Sequence, residues 1–110
     1  KDKIIHLMTI EQIYKNPELV ITDLSNKLGT HSKKISVIIN QGFNMNFNDF
    51  VNHYRVKALI KKIEAGEHKS KTLLGLALEC GFNSKSTFNR AFKRYTSMSP
   101  KDYIQKHDMN

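Results

Sequence analysis

The run from Phe47 to Ala65 is the longest uninterrupted helical pattern in the chain, and it carries two apolar stripes rather than one. Phe47, Phe50, Val51, Tyr54 and Ala58 recur at the three-and-four spacing of one helix face, while Val56, Leu59, Ile60 and Ile63 form a second stripe rotated from it. A helix with one stripe closes one core, whereas two displaced stripes can serve two separate small cores. The spacing therefore predicts a connector, capped by Asn46 and stopped by Gly66. About 19 residues at 1.5 Å rise make it roughly 28 Å long, which sets the distance between whatever packs at its two ends.

The flanking segments supply those two cores. Asp2 to Lys15 carries apolar residues at Ile4, Ile5, Leu7, Met8, Ile10, Ile13 and Tyr14, predicting one helix that stops at Asn16-Pro17. A short second helix with Leu24 and Leu28 is capped by Thr22 or Asp23 and ended by Gly29. Ser32 starts a third, in which Ile35, Ile38 and Ile39 face inward before the polar, glycine-containing run Asn40 to Asn46. Beyond the connector, Glu67 to Lys71 is a polar loop, and Thr72 caps a helix carrying Leu73, Leu74, Leu76, Ala77 and Leu78 that Gly81 ends. Gly75 inside that helix costs roughly 1 kcal/mol relative to alanine. The next helix places Phe88, Ala91, Phe92 and Tyr95 on a core face and Ser86, Arg90 and Lys93 opposite. Ser99-Pro100 opens a last short helix with Tyr103 and Ile104, after which the chain is expected to fray.

Short helix, glycine turn, longer helix thus occurs twice, around Gly29 and around Gly81, the second turn being one residue longer. Lys33, Val37 and Asn40 face outward in the first unit, with Lys34, Ser36 and Gln41 beside them; Ser86, Arg90 and Lys93 do so in the second, with Thr87, Asn89 and Arg94 beside them. Phe82 to Lys101 holds five basic residues and no acidic one. A net charge of +8 and a pI near 9.7 point to nucleic acid, since no apolar stretch approaches membrane-spanning length. This is the helix-turn-helix pattern, in which the second helix enters the major groove. Two such helices held about 34 Å apart can enter successive major-groove segments on one face of duplex DNA.

Ala77, Cys80-Gly81-Phe82, Ser84, Ser86, Phe88, Arg90, Phe92-Lys93, Tyr95, Ser99-Pro100 and Tyr103 resemble the C-terminal signature of the AraC/XylS family of bacterial transcription regulators. The Asn46 to Val56 run, with Asn52, Tyr54 and Arg55, resembles the connector of Bacteroidetes-type versions. The likeness covers about residues 19 to 105. It implies an all-α domain of seven helices: two homeodomain-like helix-turn-helix subdomains, residues 1–45 and 67–110, bridged by a connector at 46–66. Ser97 departs from the family's usual glycine, so a more strained turn is expected there. Val37 stands where a polar residue is common and offers an apolar contact, for instance to a thymine methyl.

The candidate base readers are Lys33, Ser36, Val37 and Asn40 in the first unit and Ser86, Thr87, Asn89 and Arg90 in the second. Arg90 leads, because an outward arginine can pair two ways with guanine O6 and N7; its alternative is a phosphate contact or a surface ion pair. Ser32, Lys34, Asn83, Ser84, Lys85, Lys93 and Arg94 are candidate phosphate contacts, with capping the competing role for Ser32, Asn83 and Ser84. Phe88, Phe92 and Tyr95 belong to the core by their spacing, not to base stacking. For Arg55 the sequence does not decide between tying the subdomains together and touching the DNA backbone. Cys80 is expected to be buried, and a lone cysteine fits a reducing cytosol. The five histidines are scattered and no glycine-rich phosphate loop occurs, so catalysis, metal and cofactor are not expected. The expected partner is double-stranded promoter DNA, with RNA polymerase beside it. Because the chain begins at Lys1, it reads as a cytoplasmic piece of a longer protein with a sensing or membrane region. The competing class is a basic helical module that binds an acidic protein.

Overall fold

The structure, a computed structural model, describes residues 1–109. Helix α4, Phe47–Glu64, is its axis. Asn46 caps it by accepting from the Asp49 N–H at 2.8 Å, and Gly66, at φ 82°, turns the chain away beyond Ala65. Three helices precede it, α1 Asp2–Thr9, α2 Ile21–Leu28 and α3 Ser32–Phe43. Three follow, α5 Leu73–Glu79, α6 Lys85–Thr96 and α7 Pro100–Asp108. Short 3₁₀ turns lie at Ile13–Lys15 and Glu67–Lys69, and no strand occurs among the described residues. The resulting body is elongated, 46 × 23 × 22 Å.

The two stripes of α4 are divided between two cores. Phe50 and Val51 close a first core with Ile4, Leu7, Met8, Tyr14, Leu24, Ile35 and Ile39. Val56, Leu59 and Ile63 close a second with Leu76, Ala77, Cys80, Phe82, Phe88 and Phe92. Ala58 touches both. Each fully buried aliphatic or aromatic side chain contributes about 1.5 to 3 kcal/mol, so either end of α4 is held mainly by packing rather than by helix propensity.

Several local expectations are corrected. The first helix does not reach Lys15: it ends at Thr9, Gln12 takes a left-handed conformation at φ 54°, and Ile10 is 69% exposed. The 3₁₀ turn at Ile13–Lys15 presents the carbonyls of Tyr14 and Asn16 to Arg55, and both accept from its guanidinium. Helix α2 starts at Ile21 ahead of Thr22, and Asp23 caps it from inside, its Oδ2 accepting from the Val20 N–H at 3.0 Å. Helix α3 runs on through Asn40 to Phe43, because Phe43 packs against Phe50 with ring centres 4.7 Å apart; Asn44, at φ 57°, ends it. Tyr95 is not core but 42% exposed, lying beside the His53 ring at 4.8 Å. Helix α7 continues to Asp108, which meets His68 Nε2 at 3.2 Å; Asn110 lies outside the described residues. Gly75 has a positive use, since a Cβ there would stand 2.9 Å from Thr72 Oγ1, the hydroxyl that caps α5.

Arg55 joins the two halves. Its side chain is buried on α4, with Nε donating to Tyr14 O at 2.8 Å, Nη2 to Asn16 O at 2.9 Å and Nη1 to Asn52 Oδ1 at 3.0 Å. The guanidinium also lies 5.9 Å from the centre of the Phe82 ring in the α5–α6 turn. Burial pulls its pKa below the ordinary arginine value. Gly81 completes the junction at φ 106°: a Cβ there would collide with the Tyr14 carbonyl oxygen and stand 2.9 Å from Arg55 Nε.

Two stability predictions follow from these geometries. Arg55→Lys replaces the planar fork with a point charge that cannot serve Tyr14 O, Asn16 O and Asn52 Oδ1 together, so urea melting should show a loss of about 2 kcal/mol. Ser97 ends α6 in the left-handed region at φ 64°, and Ser97→Gly relieves that conformation; thermal melting should show a gain of about 1 kcal/mol.

Candidate nucleic-acid interface

Helices α3 and α6 both follow a glycine turn, carry no acidic residue and turn basic or amide side chains outward. On α3, Lys33, Lys34 and Asn40 are exposed, and Val37 keeps 43% of its surface. Ser36 is half-buried, and Asn40 Nδ2 donates to its carbonyl at 3.0 Å. Ser32 is the first residue of the helix rather than its cap, which leaves its hydroxyl beside Lys33, Lys34 and Val37 in an open hollow. The turn before it is fixed by Ser25 Oγ donating to Thr30 O at 2.6 Å.

On α6, Lys85, Ser86, Arg90 and Lys93 are exposed, while Thr87 and Asn89 are half-buried. Ser84 is a genuine cap: its Oγ accepts from the Thr87 N–H at 3.2 Å and donates to Thr87 Oγ1 at 2.9 Å. Asn83 is exposed just ahead of it. Arg94 differs from the other cations on this helix, its Nη1 lying 3.2 Å from Asp49 Oδ2.

Sequence reasoning missed the groove between α4 and α6. Asn48, Asp49, Asn52 and His53 of α4 face Thr87, Arg90, Arg94 and Tyr95 of α6 across it. The signal was the asparagine-rich stretch Asn44 to Asn52, but its distance in sequence from Arg90 hid the juxtaposition. Burial and the nearby Lys57 push the His53 imidazole below its usual pKa, so it faces the groove neutral at pH 7. Elsewhere, Glu79 meets Lys62 at 3.2 Å and Lys71 at 3.3 Å, and those hydrogen bonds hold its carboxyl below the usual range. Among the described residues no three His, Cys, Asp or Glu side chains gather as metal ligands, and no helix is long and apolar enough to cross a membrane.

Two helix-turn-helix units on one connector, with basic outer helices, define a DNA-binding domain of transcription regulators. A family model described as a helix-turn-helix domain matches residues 24–106, and the chain belongs to that family, of the AraC type. An uncharacterized HTH-type transcriptional regulator of Staphylococcus aureus (strain COL) is 26% identical over 102 residues, 93% of this chain; the chain spans 13% of that relative's length. A probable transcription factor of Proteus vulgaris, PqrA, is 24% identical over 98 residues, covering 89% of this chain and 78% of its own. Among solved structures, a Listeria innocua protein of unknown function has a TM-score of 0.78 at 18% identity, over 94% of this chain and 93% of that one. The C-terminal domain of AraT, a response regulator from Geobacillus stearothermophilus, has a TM-score of 0.74 at 18% identity, over 88% and 78%. The C-terminal domain of the response regulator yesN from Fusobacterium nucleatum has a TM-score of 0.70 at 23% identity, over 94% and 97%. These last three are likenesses of fold.

Cys80 is fully buried behind the α5–α6 turn, and burial pushes its thiol up to about 11. Iodoacetamide at pH 8 should therefore label the folded chain far more slowly than the urea-unfolded chain, as followed by mass spectrometry.

Proposed function

We propose that the chain binds double-stranded promoter DNA sequence-specifically, with α3 and α6 entering successive major-groove segments and α4 setting their separation. The observation that carries this reading is the pair of acid-free outer faces on α3 and α6, joined to one helix whose two cores are locked through Arg55. The natural division is a first reader at 1–45, the connector at 46–66 and a second reader at 67–110. Lys33, Ser36, Val37 and Asn40 meet base edges in one groove segment, and Ser86, Thr87, Asn89 and Arg90 in the next. Ser32, Lys34, Asn83, Lys85, Lys93 and Arg94 meet phosphates; Ser84, engaged as a cap, contributes through the helix start it stabilises.

In this reading the domain works in the cytoplasm, alongside RNA polymerase and under the control of a sensing or membrane region in the same protein. A basic module for an acidic protein partner has no need of two equivalent faces at a fixed spacing, and a gel shift with random duplex DNA at low salt separates the two. Arg90→Ala should weaken binding to a duplex selected from a random pool by about 1 to 3 kcal/mol and relax one base position. Lys93→Ala should weaken all sequences alike and make the salt dependence shallower. Equal losses on selected and random DNA for Arg90→Ala would remove Arg90 from base readout.

A further inference from the structure

Asp49 sits in the first turn of α4 and, of the groove's lining residues, it alone is acidic. Its carboxylate faces α6, where Oδ2 stands 3.2 Å from Arg94 Nη1. Arg94 is 73% exposed and Asp49 28%, so the pair is solvated and contributes little to stability. Arg94 lies one turn beyond Arg90 on α6, so a DNA strand reached by Arg90 passes within its span. A phosphate and Asp49 are then rivals for one guanidinium.

We propose that Asp49 is a specificity-determining residue, resting on the DNA-binding function above: it holds Arg94 off the DNA backbone until a fitted sequence seats α6 closely enough for a phosphate to replace it. On random DNA α6 docks less deeply and Arg94 stays with Asp49. On a fitted site Arg94 changes partner and adds one phosphate contact. The released carboxylate remains near the positive end of α4, where the amide dipoles favour it. Asp49 thus withholds one cation from non-specific binding, which widens the gap between fitted and random sites.

The test is the salt dependence of binding by the 110-residue chain to two probes: a duplex it selects from a random pool, and a random-sequence duplex of equal length. Each phosphate contact contributes about 0.9 to the slope of log K against log salt. The unmodified chain should show a slope on the selected duplex steeper by about that amount through Arg94, and Arg94→Gln should remove the excess while leaving the random slope unchanged. Asp49→Asn should steepen the random slope by about 0.9 and tighten random binding roughly two- to fivefold, leaving the selected slope unchanged. The Arg94→Gln arm reads the same exchange without touching the first turn of α4. A random slope unmoved by Asp49→Asn, or both slopes made equally shallower by Arg94→Gln, overturns the proposal. So does loss of preference at a single base pair in Asp49→Asn, which makes Asp49 a reader of cytosine. If the unmodified chain binds neither duplex at low salt, the DNA-binding reading itself fails and the proposal with it, a result distinct from all the others.

Discussion

The guanidinium of Arg55 is the point on which the two halves of the molecule meet. Its three hydrogen bonds reach the carbonyls of Tyr14 and Asn16 from the first half and Asn52 on α4, and its face lies against Phe82 from the second half. Among the described residues no carboxylate pairs with it, so the charge is compensated by backbone dipoles and an aromatic ring. That arrangement is directional, because the planar fork satisfies two divergent carbonyls only in one orientation of the 3₁₀ turn relative to α4. The Gly81 backbone closes over it at a distance no side chain tolerates.

This junction gives α4 its function. A helix shared by two cores fixes how far apart the cores lie, but rotation of one about the other would still be possible if each core met only its own stripe. Arg55, Gly81 and Phe82 add a contact that both halves share, which restricts that freedom. The orientation of α6 relative to α3 is thereby set by packing before any DNA is present, and less ordering remains to be done on binding.

Much of this architecture is legible locally. The two stripes of α4, the caps at Asn46, Thr72, Ser84 and Ser99, and the left-handed glycines at 29 and 66 depend on residues within a turn or two of one another. The errors have a common physical origin in competition from distant partners. The first helix breaks although its stripe continues, because a turn at Ile13–Lys15 lets Arg55 reach two carbonyls. Helix α3 overruns Asn40 and Gly42, both unfavourable in a helix, because Phe43 gains a partner in Phe50. Tyr95 matches the helical core spacing, yet α6 turns it toward His53 at the rim. On the interface, the outward faces of α3 and α6 were readable from periodicity, while the facing α4 residues Asn48, Asp49 and His53 were not.

By itself the sequence determined the class of fold, the outward faces of α3 and α6 and the length of the bridge between the two halves, because hydrophobic period and capping chemistry act over a few residues. Only the tertiary structure decided what Arg55 does, that Gly81 is required for close approach rather than merely for a turn, and that Arg94 shares its charge with Asp49. Those outcomes depend on groups far apart in the chain, whose meeting is set by how two cores pack on one helix and leaves no periodic trace along it.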